Sequence, residues 1–307
     1  MEKQVKVALI AIAVIIPISA ILVWNSSQSI SSSVTSVNEQ KIIAIASFYP
    51  LYEFTKQVGK EKVDVSILVP FGIEPHDWEP TVKDLQKLQR ANLVVINGVG
   101  FENWIHNFES IESNAVIVDT SNGISIIEEV DDHDDHESFG DPHIWLNPVM
   151  AQKQVENIAL ALAEIDPSNK EYYNKNAVSY IAQLDELDKK IKDELAKCSK
   201  KDFIAFHKAF TYFANQYGLN QHTILSYEPQ GEPTSKTLVN IINLARELDI
   251  KIIFAEEAVD TRTSEVIANE IGGKVLVLSP VEVGDTKLGY IEKMEQNLSN
   301  LQEALCN

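Results

Sequence analysis

Cysteine is almost absent from this 307-residue chain, which has only Cys198 and Cys306. That excludes a structural metal site of the Cys-x-x-Cys kind, although an even pair in an exported chain could form a disulfide. Basic residues are scarce too: 26 Lys plus Arg stand against 45 Asp plus Glu, a formal charge of −19. Nucleic-acid binding rests on basic patches, so a phosphate-backbone partner is excluded, and the negative field favours cations instead. No His-Glu-x-x-His pair occurs, which removes the helical zinc-hydrolase signature. What is present, 45% hydrophobic and 23% charged residues, suffices for one large or two medium globular domains.

One long apolar run stands out. Residues 7–24 carry no charge and follow Lys3 and Lys6. At about 1.5 Å per residue the run would extend roughly 27 Å, enough to cross a hydrocarbon core. No small-x-small cleavage site follows it, and no cysteine near its end would accept a lipid. The segment 1–24 is therefore read as an uncleaved anchor rather than a cleaved signal, with the remainder exported. Residues 25–40, rich in serine, read as a flexible tether. Asn25-Ser26-Ser27 and Asn297-Leu298-Ser299 match the glycosylation pattern, one that arises often by chance.

From Lys41 onward, short apolar runs alternate with helical periodicity. Strands are expected over 42–47, 63–68, 93–97 and 115–118, with helices over 51–58 and 81–90 between them. The scheme repeats with strands over 203–206, 223–226, 252–255 and 275–278 and helices over 210–217, 236–248 and 264–271. Such alternation predicts an α/β fold: two lobes, 41–165 and 199–307, each with a parallel sheet flanked by helices. Between them, 166–198 contain no glycine and no proline after Pro167. Ile181, Leu184, Leu187, Ile191 and Leu195 step by three and four, so a single long connecting helix is expected, a strut that would limit how far the lobes swing.

Three histidines sit where such a fold builds sites. His143 is held between prolines in Asp141-Pro142-His143-Ile144-Trp145-Leu146-Asn147-Pro148, where fixed φ angles leave few conformers to lose on binding. His76 lies in Pro75-His76-Asp77-Trp78-Glu79-Pro80 after the second strand. His207 follows the first strand of the second lobe. Open parallel sheets place ligands beyond the carboxyl ends of their strands. Imidazole suits zinc, copper, nickel and iron, and three with one further oxygen would make the tetrahedral set that zinc favours. Singly, each would more often be a core or capping residue; His106 and His222 are taken as such.

The order of these motifs, with Ser47-Phe48-Tyr49-Pro50-Leu51 before them and Glu228-Pro229, Pro233 and Ser235 after, resembles the zinc and manganese solute-binding proteins of ABC importers. The match runs from about Lys41 to the C-terminus. It implies two α/β lobes joined by one long helix, a divalent metal bound between them, and His76, His143 and His207 as ligands. Manganese-type members commonly have glutamate at the position matching His207, so Zn2+ is expected and Mn2+ is the alternative. The chain departs from the family in one place: Ser279 stands where an aspartate ligand is usual. Water, Glu282, Asp285 or Glu256 could supply the fourth position. Glu282 is taken, because it lies in the same loop and carboxylate is a normal zinc ligand.

The run 128–137, with His133 and His136, is too charged for a core and reads as an exposed loop, either merely solvated or a loose metal trap as in zinc-type relatives. The resemblance thus implies a monomeric, non-enzymatic, extracytoplasmic zinc receptor that serves a membrane permease of the ABC type. A zinc-dependent hydrolase, with three histidines and an open position, and an adhesin are the rivals.

Overall fold

A computed structural model describes residues 41–307 except 77, 110–112, 129–139, 227, 228, 230, 285, 286 and 307. The expected anchor and tether, His133 and His136, and Asp285 lie outside these residues. Among the described residues no helix is long and apolar enough to cross a membrane.

In order, the first sheet and its helices are β1 (Ile42–Ala46), α1 (Tyr49–Gly59), β2 (Val63–Ile67), α2 (Val82–Leu88), β3 (Leu93–Ile96), α3 (Ile105–Glu109) and β4 (Val116–Asp119). Two helices follow, α4 (Pro148–Ile165) and α5 (Lys170–Leu195). The second sheet comprises β5 (Asp202–Ala205), α6 (Thr211–Tyr217), β6 (Asn220–Thr223), α7 (Ser235–Glu247), β7 (Ile252–Ala255), α8 (Arg262–Ile271) and β8 (Lys274–Val277), and α9 (Tyr290–Leu305) closes the chain. Both sheets are parallel, in the orders β2-β1-β3-β4 and β6-β5-β7-β8. The same doubly wound scheme is thus used twice, and its crossover falls between β1 and β3 and between β5 and β7. That is where such sheets open a crevice at their carboxyl ends.

The central strands are apolar throughout, Leu-Val-Val-Ile in β3 and Ile-Ile-Phe-Ala in β7, and every residue of both is buried. This is the signature of a parallel strand covered on both faces. The edge strand β6 departs from expectation. It is the polar Asn-Gln-His-Thr, three residues before the apolar stretch expected to form it. Its main-chain ladder to β5 pairs Asp202 with Asn220 and Ala205 with Thr223, so an edge position does not require apolar side chains. Ile224, 2% exposed, instead packs at the strand's end.

The connector is one unbroken helix, α5, after a short turn over Pro167–Asn169. Its buried face runs Tyr173, Ala177, Tyr180, Leu184, Leu187, Ile191 and Leu195. That face packs on α4, α1 and α9, and one apolar cluster extends from Ile42 to Leu305 through it. The helix is therefore part of the core rather than a free strut. The closing helix α9 has no counterpart in the sequence reading: its apolar positions Tyr290, Met294, Leu298, Leu301 and Leu305 are interleaved with the buried polar Lys293 and Asn297. Asn297 is 2% exposed and fully engaged, so its glycosylation match is a coincidence of pattern.

Cys198, just beyond α5, and Cys306, just beyond α9, are joined by a disulfide across a sequence separation of 108. Closing so long a loop typically stabilises by about 2–4 kcal/mol. Cys198→Ser is expected to lower the melting temperature by roughly 5–10 °C. An unchanged melting temperature in a thermal scan would show that the bond does not restrain the unfolded chain.

Candidate metal centre

Loops at the carboxyl ends of both sheets converge on one buried cluster. His76, His143, His207 and Glu282 each present one atom, and these atoms lie within 4.8 Å of one another. Glu282 Oε1 is 3.4 Å from His76 Nε2, 3.5 Å from His143 Nε2 and 3.8 Å from His207 Nε2, and the last two nitrogens are 3.3 Å apart. A tetrahedral ion with bonds of about 2.0–2.1 Å has ligand–ligand edges of about 3.3–3.4 Å. These four separations, 3.3–3.8 Å, approach the edges of such a shell. Among the described residues, His76 Nε2 and both carboxylate oxygens of Glu282 find no hydrogen-bond partner despite their burial. A polar atom left so is costly unless it has another role.

Local sequence explains how each side chain arrives. His76 rides on a proline-stiffened loop turned by hydrogen bonds from Ile73 N to Pro70 O and from Trp78 N to Pro75 O. The loop ends at Thr81, which caps α2 in a reciprocal pair with Asp84. His143 enters a turn, Ile144–Leu146, whose Trp145 packs edge-on against Phe48. Asn147 then caps α4, with Pro148 at its first position. His207 directly follows β5 by one residue, at the crossover of its sheet.

Glu282 depends on a strained residue. Val281 has φ 59°, a left-handed conformation unfavourable for a β-branched side chain, and it is wholly buried. Ser279 supports it: the hydroxyl accepts from Val281 N at 3.0 Å. Ser279 thus shapes the turn that carries Glu282. Two residues on, a Cβ on Gly284 would come within 2.2 Å of the Tyr49 ring and 2.6 Å of Phe71, so glycine lets this loop close against the His76 loop.

Two imidazoles are oriented by carboxylates. His143 Nδ1 lies 2.8 Å from Asp141 Oδ1, and His207 Nδ1 lies 2.7 and 2.8 Å from the oxygens of Glu256. Each Nδ1–H donates outward, which leaves the Nε2 lone pair facing the cluster, the arrangement used to orient metal-binding histidines. Glu256, one of the alternatives for fourth ligand, is instead this backing group. It follows β7 directly and reaches across the crossover to β5. The sequence signals that could have identified both backing acids are Asp141 two residues before His143 and an acid at the end of β7. His222 pairs with Asp202 at 3.0 Å, bridging β6 to β5, and His106 lies in α3; neither belongs to the cluster.

The charges are mutually adjusted. Burial would raise the Glu282 carboxyl, but the imidazoles of His76, His207 and His143 outweigh it and hold the carboxyl down at about 2. Burial lowers His143, and Asp141 only partly offsets that. For His207 and His76 burial is overcome, by Glu256 and by Glu282 respectively, and both are raised. Glu74, whose carboxylate accepts from His76 N at 3.2 Å, is pushed up to about 9 by burial and by Glu282. Beside it opens a cleft of about 590 Å³ lined by Phe206, Pro229, Leu238, Val259 and Arg262.

Known proteins share this architecture. Residues 45–304 match the profile of the family described as ZnuA, zinc-uptake complex component A, periplasmic. The chain is 41% identical over 282 residues to the high-affinity zinc uptake system protein ZnuA of Bacillus subtilis, covering 86% of this chain and 88% of that one. It is 36% identical over 279 residues to the zinc-binding lipoprotein AdcA of Streptococcus pneumoniae, covering 86% of this chain but only 56% of the relative. The crystal structure of the Zn(II)-bound ZnuA-like domain of Streptococcus pneumoniae AdcA superposes with a TM-score of 0.77 at 31% identity, over 87% of this chain and all of that one. By profile, sequence and fold, the chain belongs to the ZnuA family of zinc-uptake component A proteins.

Proposed function

We propose that this chain is an extracytoplasmic receptor that captures Zn2+ on His76, His143, His207 and Glu282 and delivers it to an ABC-type permease. The observation that carries this reading is the cluster itself, in which three imidazole nitrogens and one carboxylate oxygen lie within 4.8 Å of one another. Three imidazoles suit a borderline-soft ion, which supports zinc over manganese, an ion better served by oxygen ligands. Asp141, Glu256 and Glu282 bring negative charge that would offset much of a dication's desolvation cost. Four protein ligands complete a tetrahedron and leave no position for a reacting water, which supports a receptor over a hydrolase. Residues 1–40 would tether the receptor to the membrane.

The test is native mass spectrometry with elemental analysis, after chelation and competitive reloading with zinc and manganese. One zinc per chain in the presence of equal manganese is expected, lost in His143→Ala and His207→Ala. Manganese preference, or zinc retained in both variants, would overturn the proposal.

A further inference from the structure

The closing helix α9 buries three polar side chains that the metal scheme leaves unused. Tyr290, Lys293 and Asn297 are 1, 2 and 2% exposed. Their spacing of three and four places them on one helical face. Polar groups so deeply buried are costly unless each has a defined partner. Here each partner belongs to a different loop of the metal centre. Tyr290 Oη donates to Trp145 O at 2.5 Å, two residues from His143. Lys293 Nζ donates to both oxygens of Glu257, at 2.8 and 2.9 Å; the preceding residue, Glu256, holds the His207 ring. Asn297 grips Ser279 by both main-chain groups, accepting from its N at 2.8 Å and donating to its O at 2.6 Å, three residues before Glu282. Trp145 Nε1 donates to Pro280 O at 2.8 Å, which joins the first of these loops to the third.

We infer that α9 is the frame that sets the geometry of the metal centre, and that Lys293 is its principal positioning residue, acting through Glu257 and Glu256 on His207. The inference rests on the receptor reading above. Glu256 and Glu257 are adjacent in the turn that follows β7. Anchoring Glu257 on Lys293 therefore fixes the backbone that presents Glu256 to His207, whose main-chain N also donates to Glu256 at 3.1 Å. Lys293 is a buried cation whereas Glu257 is 30% exposed, and their pair links α9 to the turn that carries Glu256.

The experiment compares the native chain with Lys293→Met, Lys293→Arg, Glu257→Gln and Cys198→Ser. Zinc affinity is read by chelator competition, and coordination geometry by the absorption spectrum of the Co2+-loaded protein. Lys293→Met and Glu257→Gln are expected to weaken zinc binding about tenfold, at the lower end of the usual cost of losing an outer-shell partner, and to alter the cobalt spectrum. Lys293→Arg should restore most of the affinity. Cys198→Ser should lower the melting temperature and leave affinity and spectrum native, because it loosens the far end of α9 only. Native-like affinity and spectrum in both Lys293→Met and Glu257→Gln, or an equal loss in Cys198→Ser, would overturn the inference. A native chain that takes up neither metal would overturn the receptor reading itself, a result legible before any variant is made.

Discussion

Glu282→Gln is expected to weaken zinc binding by at least two orders of magnitude while leaving the chain folded. Glutamine keeps the shape and one carbonyl oxygen but removes the only anionic donor among the four. Losing one member of a buried charge pair costs about 3–5 kcal/mol, or roughly 10²–10³·⁵ in affinity. The buried turn at Val281 and its support from Ser279 do not involve the carboxylate, so the fold should persist. The same substitution removes the negative charge that raises His76, so that imidazole should titrate at lower pH in the metal-free variant. Chelator competition measures the first effect and histidine proton resonances the second. A change of less than about threefold in affinity, well below the cost of any buried pair, would remove Glu282 from the ligand set.

Acidification should separate the two states of the protein. Zinc requires neutral imidazoles, and in the metal-free chain His76 and His207 are raised above the ordinary 6.5. Protons therefore compete with metal from above pH 6.5 downward, and below both pKa values affinity should fall by up to about a hundredfold per pH unit, tenfold for each proton displaced. Glu282, held at about 2, stays ionised throughout and contributes nothing to this slope.

The metal-free fold should show the opposite trend. A raised histidine contributes stability that is fully present below its unfolded pKa and is lost as pH rises through the folded value. Glu74 acts in the same direction, because a carboxyl raised from 4.5 to about 9 loses stability as pH climbs between those values. From pH 8 to pH 6 the metal-free chain should gain stability from these groups while the zinc-loaded chain loses its metal advantage. Thermal scans with and without zinc across that range test both signs at once. Zinc retention that is independent of pH between 5 and 8 would exclude a histidine site.

Much of this architecture is written in local pattern. The continuous apolar runs of β3 and β7 announce buried parallel strands, and the spacing of Leu184, Leu187, Ile191 and Leu195 announces one long helix, because burial on one face imposes a period that the chain must carry. The histidines were legible as candidates because each lies where a strand of such a fold ends or a proline stiffens a loop.

What the pattern could not carry depends on long-range approach. The polar strand β6 is held by backbone pairing at an edge, which leaves no hydrophobic trace. The helix α9 was hidden because Lys293 and Asn297 break its apolar stripe, and only the packed structure shows that loops of the metal centre bury them. For the fourth position the sequence favours Glu282 over water, Asp285 and Glu256, on no more than its place in the loop; the fold brings Glu282 into the cluster, turns Glu256 onto His207 and uses Ser279 in the turn beneath Val281. By itself, then, the sequence determined the two α/β lobes, the connecting helix and three histidines, since these follow from periodicity and from residue chemistry. Only the tertiary structure showed which acid joins the histidine cluster, that Glu256 backs His207 and which helix holds these loops, because each depends on contacts between segments that are separate in the chain.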